Sequence, residues 1–181
     1  PAADPSADYW QRYCAKLPSL GQAWLDVCLQ PGNPLILKDT LGAALKAKTA
    51  LTGSIVLARH ISRLSPEQNI GILLPSSTAS VLCNMACLLL GKTCVNLNFT
   101  ASTPALQSAL QQAAIKTIYT SSRFLERLHA RGVSTQHLQQ HCKVVLLEDL
   151  RAQTSGWSKL LTLLACKLLP GRMLQRYCKT T

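Results

Sequence analysis

Four groups of residues have types and spacings that could do chemistry. Pro75-Ser76-Ser77-Thr78 follows an apolar run and precedes a helical pattern. Its hydroxyls and backbone N–H groups therefore stand at the carboxyl end of a strand and the opening of a helix, where open α/β sheets bind anions. Ser76, Ser77 and Thr78 are the candidate ligand-binding residues, and helix capping is the plainer use of the same groups. Cys83 and Cys87 lie four apart, as do His137 and His141 beside Cys142. On one helix face either pair could contribute to a metal site. No second soft pair with zinc-like spacing accompanies the cysteines, which favours small hydrophobes in a core. The histidines sit in a glutamine-rich stretch that favours a solvated helix, so no metal site is assigned. Thr154-Ser155-Gly156, with Lys159 nearby, imitates a phosphate loop. It lacks a second glycine and precedes an amphipathic helix instead of following a strand. Glu148 and Asp149 are adjacent, and adjacent positions point apart. No Gly-x-Ser-x-Gly elbow, no His-Glu-x-x-His and no paired carboxylates at helical spacing occur. No catalytic residue is assigned within this chain.

The elements that position these residues are legible between residues 69 and 150. Ile70 to Leu74 is an apolar run without polar alternation, as expected of a strand buried on both faces in a parallel sheet. Pro75 ends it, and Ser77 or Thr78 can cap a helix whose apolar stripe is Val81, Leu82, Met85, Ala86 and Leu89. Gly91 closes that helix. Thr93 to Leu97 reads as the next strand. Thr103-Pro104 supplies a cap and a first-turn proline for a helix carrying Leu106, Ala109, Leu110 and Ala113. Lys116 to Tyr119 is a third strand. Ser121 or Ser122 caps a helix with Phe124, Leu125 and Leu128, which Gly132 stops. Lys143 to Leu147 is a fourth strand. Strands alternating with helices predict an α/β fold: a mostly parallel sheet flanked by helices, built from βαβ units with right-handed crossovers.

Before this region the pattern is weaker. Residues 1–18 have no sustained period and read as a partly flexible lead-in. Leu20, Trp24 and Cys28 predict a short helix beginning near Ser19. Leu35 to Lys38 and Ala43 to Leu45 read as short strands around a turn at Asp39-Thr40-Leu41-Gly42. Leu51, Ile55, Ala58, Ile61 and Leu64 form a helical face. The expected organisation is a lead-in over 1–18, an α/β domain over 19–150 and a basic amphipathic segment over 151–181.

At 181 residues and 48% hydrophobic composition the chain can bury a core without staples. No apolar stretch is long enough to predict a membrane-spanning helix, and no basic-then-apolar leader opens the sequence. Eight cysteines without a Cys-x-x-Cys pair read as free thiols. The net charge is +11, from nineteen Lys and Arg against eight Asp and Glu. Such a field attracts anionic lipid, acidic protein or nucleic acid. No helix-turn-helix, zinc module or aromatic-rich basic strand supports nucleic acid, and none is expected as a partner. From Arg151 to Thr181 there are six basic residues and no acidic one. A helix from about Ser158 to Leu169, ended by Pro170, would gather Leu160, Leu161, Leu164, Ala165 and Leu168 on one apolar face. Lys159, Cys166 and Lys167 fall on or beside the other. The leucine face suits either docking on the domain or lying on an anionic membrane. Lys159, Lys167, Arg172 and Arg176 are the candidate membrane or partner surface.

Leu74-Pro75 ending a strand, then Leu90-Gly91 after a helix, then Leu97-Asn98 ending the next strand, resemble the N-terminal part of the adenylate-forming enzymes, the acyl- and aryl-CoA synthetase superfamily. The likeness covers about residues 19 to 175. Within the superfamily, NLNFTAS, LQSALQQAAIKTIYTSSRFLE and LLEDLR are similar to the synthetase part of the bifunctional 2-acylglycerophosphoethanolamine acyltransferase/acyl-[acyl-carrier-protein] synthetases. The resemblance implies the N-terminal subdomain of the adenylate-forming fold. It implies a parent enzyme that uses ATP and magnesium to couple a fatty acid to AMP. The acyl group then passes to a thiol of acyl carrier protein or CoA, and onward to a lysophospholipid. The implied location is the cytoplasmic face of the inner membrane, with the fragment itself soluble. The implied partners include the remainder of the same synthetase domain. The family's Ser/Thr/Gly-rich loop ending in Pro-Lys, its later aromatic-Gly-x-Thr-Glu motif and its C-terminal lysine are not among these residues. The fragment is accordingly expected to be inactive alone and to bind no cofactor tightly. A non-enzymatic α/β module binding an anionic membrane or an acidic protein through the basic segment is the alternative.

Overall fold

Four short runs of apolar residues become the strands of one parallel sheet. The computed structural model describes Cys14 and residues 17–168, without the side chains of residues 136, 137, 158, 159, 167 and 168. The expected lead-in and residues 169–181 of the basic segment fall largely or wholly outside that description, as do Arg172, Arg176 and the stop at Pro170. In chain order the elements begin with α1 (Leu20–Cys28), the hairpin β1 (Leu35–Lys38) and β2 (Ala44–Lys46), and α2 (Ala47–Leu64). The sheet region follows: β3 (Asn69–Ile72), α3 (Thr78–Leu89), β4 (Thr93–Asn96), α4 (Thr103–Gln112), β5 (Thr117–Thr120), α5 (Ser122–Ala130), α6 (Gln136–His141) and β6 (Lys143–Leu146). The described part ends with α7 (Leu147–Gln153) and α8 (Gly156–Leu168).

The sheet order is β4-β3-β5-β6, every pair parallel. The expected α/β architecture is present. Side chains alternate across a strand, so β3 and its extension serve two cores at once. Ile70, Ile72 and Leu74 pack with Ala58, Ile61, Cys83, Ala86, Cys87 and Leu150 on one side. Leu73 packs with Leu106, Leu110, Phe124, Leu128 and Leu138 on the other. Tyr119 and Ile118 divide in the same way. A third cluster joins α1, α2 and Cys166 of α8 through Leu25, Cys28, Leu51 and Ile55.

Local chemistry punctuates the units. Ser77 and Ser121 cap α3 and α5 by accepting from Ser80 N and Phe124 N. Pro104 occupies the first turn of α4. Helices α3, α4 and α5 close with one hydrogen-bond pattern, in which two successive N–H groups reach back to late carbonyls. In α5 these are Gly132 N to His129 O at 2.9 Å and Val133 N to Leu128 O at 3.0 Å. The residue after the cap is left-handed each time: Gly91 (φ 67°), Ala114 (φ 48°) and Gly132 (φ 78°).

Several boundaries differ from the sequence reading. The second hairpin strand is 44–46, because the Ala43 carbonyl accepts from Asp39 N at 3.0 Å inside the turn. Leu147 opens α7 instead of ending the fourth strand, and Glu148 and Asp149 form that helix's acidic first turn. The structure also decides which face of α8 docks. Cys166, expected on or beside the face opposite the leucines, is there, and that face is the buried one: Cys166 and Thr162 are both 2% exposed. Arg59 Nη1 on α2 donates to Thr162 Oγ1 at 2.8 Å. The expected apolar face stays largely outward, with Leu160, Leu161 and Leu164 exposed. The helix begins at Gly156, two residues before the expected start.

Candidate functional site

The loop after β3 satisfies its own polar groups. Ser77 Oγ donates to Pro75 O at 3.1 Å and accepts from Ser80 N at 3.3 Å. Thr78 N donates to Asp39 Oδ2 at 2.9 Å. Asp39 reaches across from the β1–β2 turn, where its other oxygen accepts from Leu41 N at 3.0 Å and Ala43 N at 2.9 Å. A carboxylate of the chain itself thus occupies the anion-binding end of α3. The Thr78 N–H first, and the Ala43 N–H next, hold that carboxyl below its ordinary range. Asp39 was legible in the sequence only as a turn residue, and nothing local signals a bond to a helix opening 39 positions later.

The strand order reverses between β3 and β5, the place where open sheets of this kind form a ligand crevice. Here Thr120 Oγ1 donates to Leu73 O at 2.7 Å, and Thr120 is fully buried. The crevice is closed by the chain's own groups at that level.

Open space lies to either side. A cleft of mixed polar and apolar lining, about 1020 Å³, runs along α3 and the edge strand β4, and Ser76, Ser77, Ser80, Asn84, Lys92 and Asn96 are among its walls beside Val81, Met85 and Leu88. Ser76 and Ser77 are therefore brought to a cavity, whereas Thr78 is buried and is not among its lining residues. Asn84 and Asn96 hold each other through reciprocal amide bonds of 3.1 and 2.9 Å. Lys92 Nζ is bonded to the carbonyls of Pro66 and Glu67. Under the cleft Cys87 neighbours Cys94, and Cys94 Sγ donates to Asn84 O at 3.3 Å. The Cys87 thiol beside it lowers the Cys94 pKa, while Cys94 first, and then burial, raise that of Cys87. Burial, followed by the neighbouring Cys94, pushes Cys83 up to about 12.

A second cavity, about 640 Å³, is mainly apolar and lies among α2, α7 and α8. Val56, Leu57, Leu82, Leu150 and Leu163 line it, with His60 and Thr154 at its polar side. Thr154 Oγ1 donates to Leu150 O at 2.6 Å, so it accepts from His60 Nε2 at 2.9 Å. Burial first, and then Arg63, lower the His60 pKa. The string Thr154-Ser155-Gly156 is thus the junction of two helices, with its threonine already committed.

Cys83 and Cys87 are buried in the core, as expected of small hydrophobes. Cys142 Sγ donates to Ile115 O at 3.2 Å, facing the core and not His141. Among the described residues no group of three His, Cys, Asp or Glu could hold a metal. Lys159 and Lys167 lie within α8, but their side chains are outside the described part. Both cavities are open to solvent. Neither presents a nucleophile with its base among the described residues.

This arrangement is an α/β fold that solved structures share. No family model matches the chain. Solved structures do. The N-terminal domain of FACL13 from Mycobacterium tuberculosis aligns with a TM-score of 0.59 at 12% identity, over 75% of this chain and 36% of that one. VinN aligns with a TM-score of 0.58 at 18% identity, over 81% and 37%. O-succinylbenzoate coenzyme A synthetase (MenE) from Bacillus subtilis aligns with a TM-score of 0.57 at 19% identity, over 73% and 28%. The chain therefore spans between 28 and 37% of the length of these structures.

Proposed function

We propose that this chain is the N-terminal domain of an AMP-forming acyl ligase. The observation that carries the reading is the coincidence of two independent patterns. The chain, with its sheet order β4-β3-β5-β6, aligns in fold with the N-terminal domain of FACL13 and with part of a coenzyme A synthetase. Leu74-Pro75, Leu90-Gly91 and Leu97-Asn98, the residue pairs that carry the sequence resemblance, fall at the ends of β3, α3 and β4 in that same fold. In this reading the parent enzyme joins a fatty acid to AMP with ATP and magnesium. It then passes the acyl group to CoA or acyl carrier protein, in the service of lysophospholipid reacylation at the inner membrane's cytoplasmic face. The domain's task is structural. It supplies one packed sheet, an open edge strand β4 and two cavities, against which the triphosphate-binding parts of the same enzyme assemble. Ser76 and Ser77, on the cleft beside α3 and β4, are the side chains that would meet a ligand or those parts.

The test is pyrophosphate exchange dependent on ATP and a fatty acid. The whole protein that carries this domain is expected to show exchange, and the 181-residue chain alone is not. Exchange by the isolated chain would overturn the division of labour. Its absence from the whole protein with every carboxylic acid tried would overturn the ligase reading.

A further inference from the structure

Three cysteines gather where α3 hands the chain to β4. Cys83 and Cys87 stand on the inner face of α3 and are fully buried. Cys94 lies on the edge strand β4, in register with Ile70 of β3, so its side chain takes the same face of the sheet as Ile70. That face holds the cluster of Ile70, Cys83 and Cys87, and Cys94 packs against it half-buried. The thiols of Cys87 and Cys94 are neighbours within it. Backbone bonds fix their approach: the Cys87 carbonyl accepts from Leu90 N at 3.0 Å and Lys92 N at 2.9 Å, which folds the connection back toward β4. Of the three, Cys94 alone also lines the 1020 Å³ cleft. Its Sγ donates to Asn84 O at 3.3 Å, and an S–H is a weak donor that gives up such a bond readily.

The two neighbours are unlike. Cys94 faces the cleft, and Cys87 stands behind it in the dry core. A thiolate is the reactive form of cysteine, and the Cys87 thiol holds the Cys94 pKa below its ordinary value. Cys94 first, and then burial, keep Cys87 protonated. A reachable sulfur with a second sulfur against its back is the arrangement of a peroxide-sensitive cysteine and its resolving partner. We propose that Cys94 is a modification site for peroxides, and that Cys87 converts the product into a Cys87–Cys94 disulfide. In the first step the Cys94 sulfur attacks hydrogen peroxide. An S–O bond forms, the O–O bond breaks, and the released hydroxide takes the proton that Cys94 gave up. Cys94 is left as a sulfenic acid. In the second step the Cys87 sulfur attacks Cys94 Sγ. The S–S bond forms, the S–O bond breaks, and the hydroxide leaves as water with the Cys87 proton. Both thiols are thereby oxidised to a disulfide, and the peroxide is reduced to two waters. Cys83, fully buried and away from the cleft, takes no part. The bridge ties the last turn of α3 to the edge strand and replaces the Cys94 bond to Asn84 at the cleft. The inference does not depend on the ligase reading, because it stands on where the thiols lie.

The experiment treats the full folded chain with hydrogen peroxide, blocks the remaining thiols with N-ethylmaleimide, and maps tryptic peptides by mass spectrometry without reductant. Trypsin cuts after Lys92, between the two cysteines, so the disulfide joins the peptide that ends at Lys92 to the one that begins at Thr93. That joined pair is expected to be the first cross-link to form, and dithiothreitol should reverse it. Cys83→Ala should keep it. Cys87→Ala should replace it with a sulfenic acid on Cys94 that dimedone captures. Before oxidation, Cys94 should alkylate roughly tenfold or more faster than Cys83 or Cys87 in the folded chain. Three results would each overturn the inference: alkylation of Cys94 no faster than that of Cys83 and Cys87 in a chain that melts cooperatively; peroxide that leaves a sulfenic or sulfinic acid on Cys94 with Cys87 still free; or a cross-link that survives Cys87→Ala, which would give the resolving role to Cys83. The map of the unmutated chain decides between disulfide and dead-end oxidation even where Cys87→Ala folds poorly.

Discussion

Ala114→Gly should stabilise the protein, and its size follows from three helix ends that differ in one side chain. Helices α3, α4 and α5 close alike, and the residue after each cap is left-handed. Gly91 and Gly132 meet that demand with glycine, but α4 meets it with Ala114 at φ 48°. A Cβ in the left-handed region costs about 1–2 kcal/mol. Glycine returns about 0.4–1 kcal/mol of that through the freer unfolded chain. Ala114 is exposed, so its methyl group buries nothing that the change would lose. The net gain is about 0.5–1 kcal/mol. For a chain of this size that raises the melting temperature by roughly 1–4 °C. Gly132→Ala is the reciprocal experiment. A Cβ there meets nothing within 4 Å, so the backbone alone sets the cost and the melt should fall by a similar amount. Circular dichroism melts and urea titrations of both variants provide the measurement. An Ala114→Gly protein that melts lower, or a Gly132→Ala protein that melts higher, would refute the backbone argument.

Gly71 sits in β3 where a Cβ would come within 2.9 Å of Ile115 Cγ2 and 3.3 Å of the Thr117 carbonyl oxygen. Gly71→Ala should therefore cost about 1–3 kcal/mol in urea unfolding, and a neutral result would show that β5 yields. Tyr119 OH lies 2.8 Å from Ser65 Oγ, both fully buried. Tyr119→Phe should lower stability by about 1–2 kcal/mol, because it strands the serine hydroxyl; equal stability would mean the hydroxyl finds another partner. Asp39 has a folded pKa below its unfolded one, so its contribution is present above the ordinary carboxylate range and is lost as pH falls through the folded value. Asp39→Asn should remove part of the acid slope of stability below the ordinary carboxylate range, and an unchanged slope would detach the carboxylate from Thr78. Burial pushes Cys28 and Cys83 up to about 12. Both should stay unalkylated at pH 8 in the folded chain and react only on unfolding, as peptide mapping would show.

The sequence by itself determined the unit βα pattern, because the residues that start and stop these elements act locally. Ser77 caps the helix that follows it, Pro104 fits only a first turn, and Gly91 and Gly132 tolerate the conformation that ends a helix. The apolar run from Ile70 to Leu74 required burial on both faces, and hence a parallel sheet between helical layers. Ser76 and Ser77 were placed at a strand's carboxyl end by the same punctuation, and they line the cleft beside α3 and β4. Distance in the chain hid the rest. Strand order joins residues tens of positions apart. The Asp39 bond to Thr78 likewise joins a hairpin turn to a helix that no local pattern connects to it. Helix α8 gives the plainest case. Periodicity located its leucine face correctly, and the reading left open whether that face docks or meets lipid. What periodicity cannot contain is the surface waiting opposite. Arg59 on α2 offers Thr162 a strong donor, and the cluster around Leu25, Leu51 and Ile55 receives Cys166. Only the tertiary structure decided that the less apolar face turns inward, because burial is a property of two surfaces and the helix supplies one.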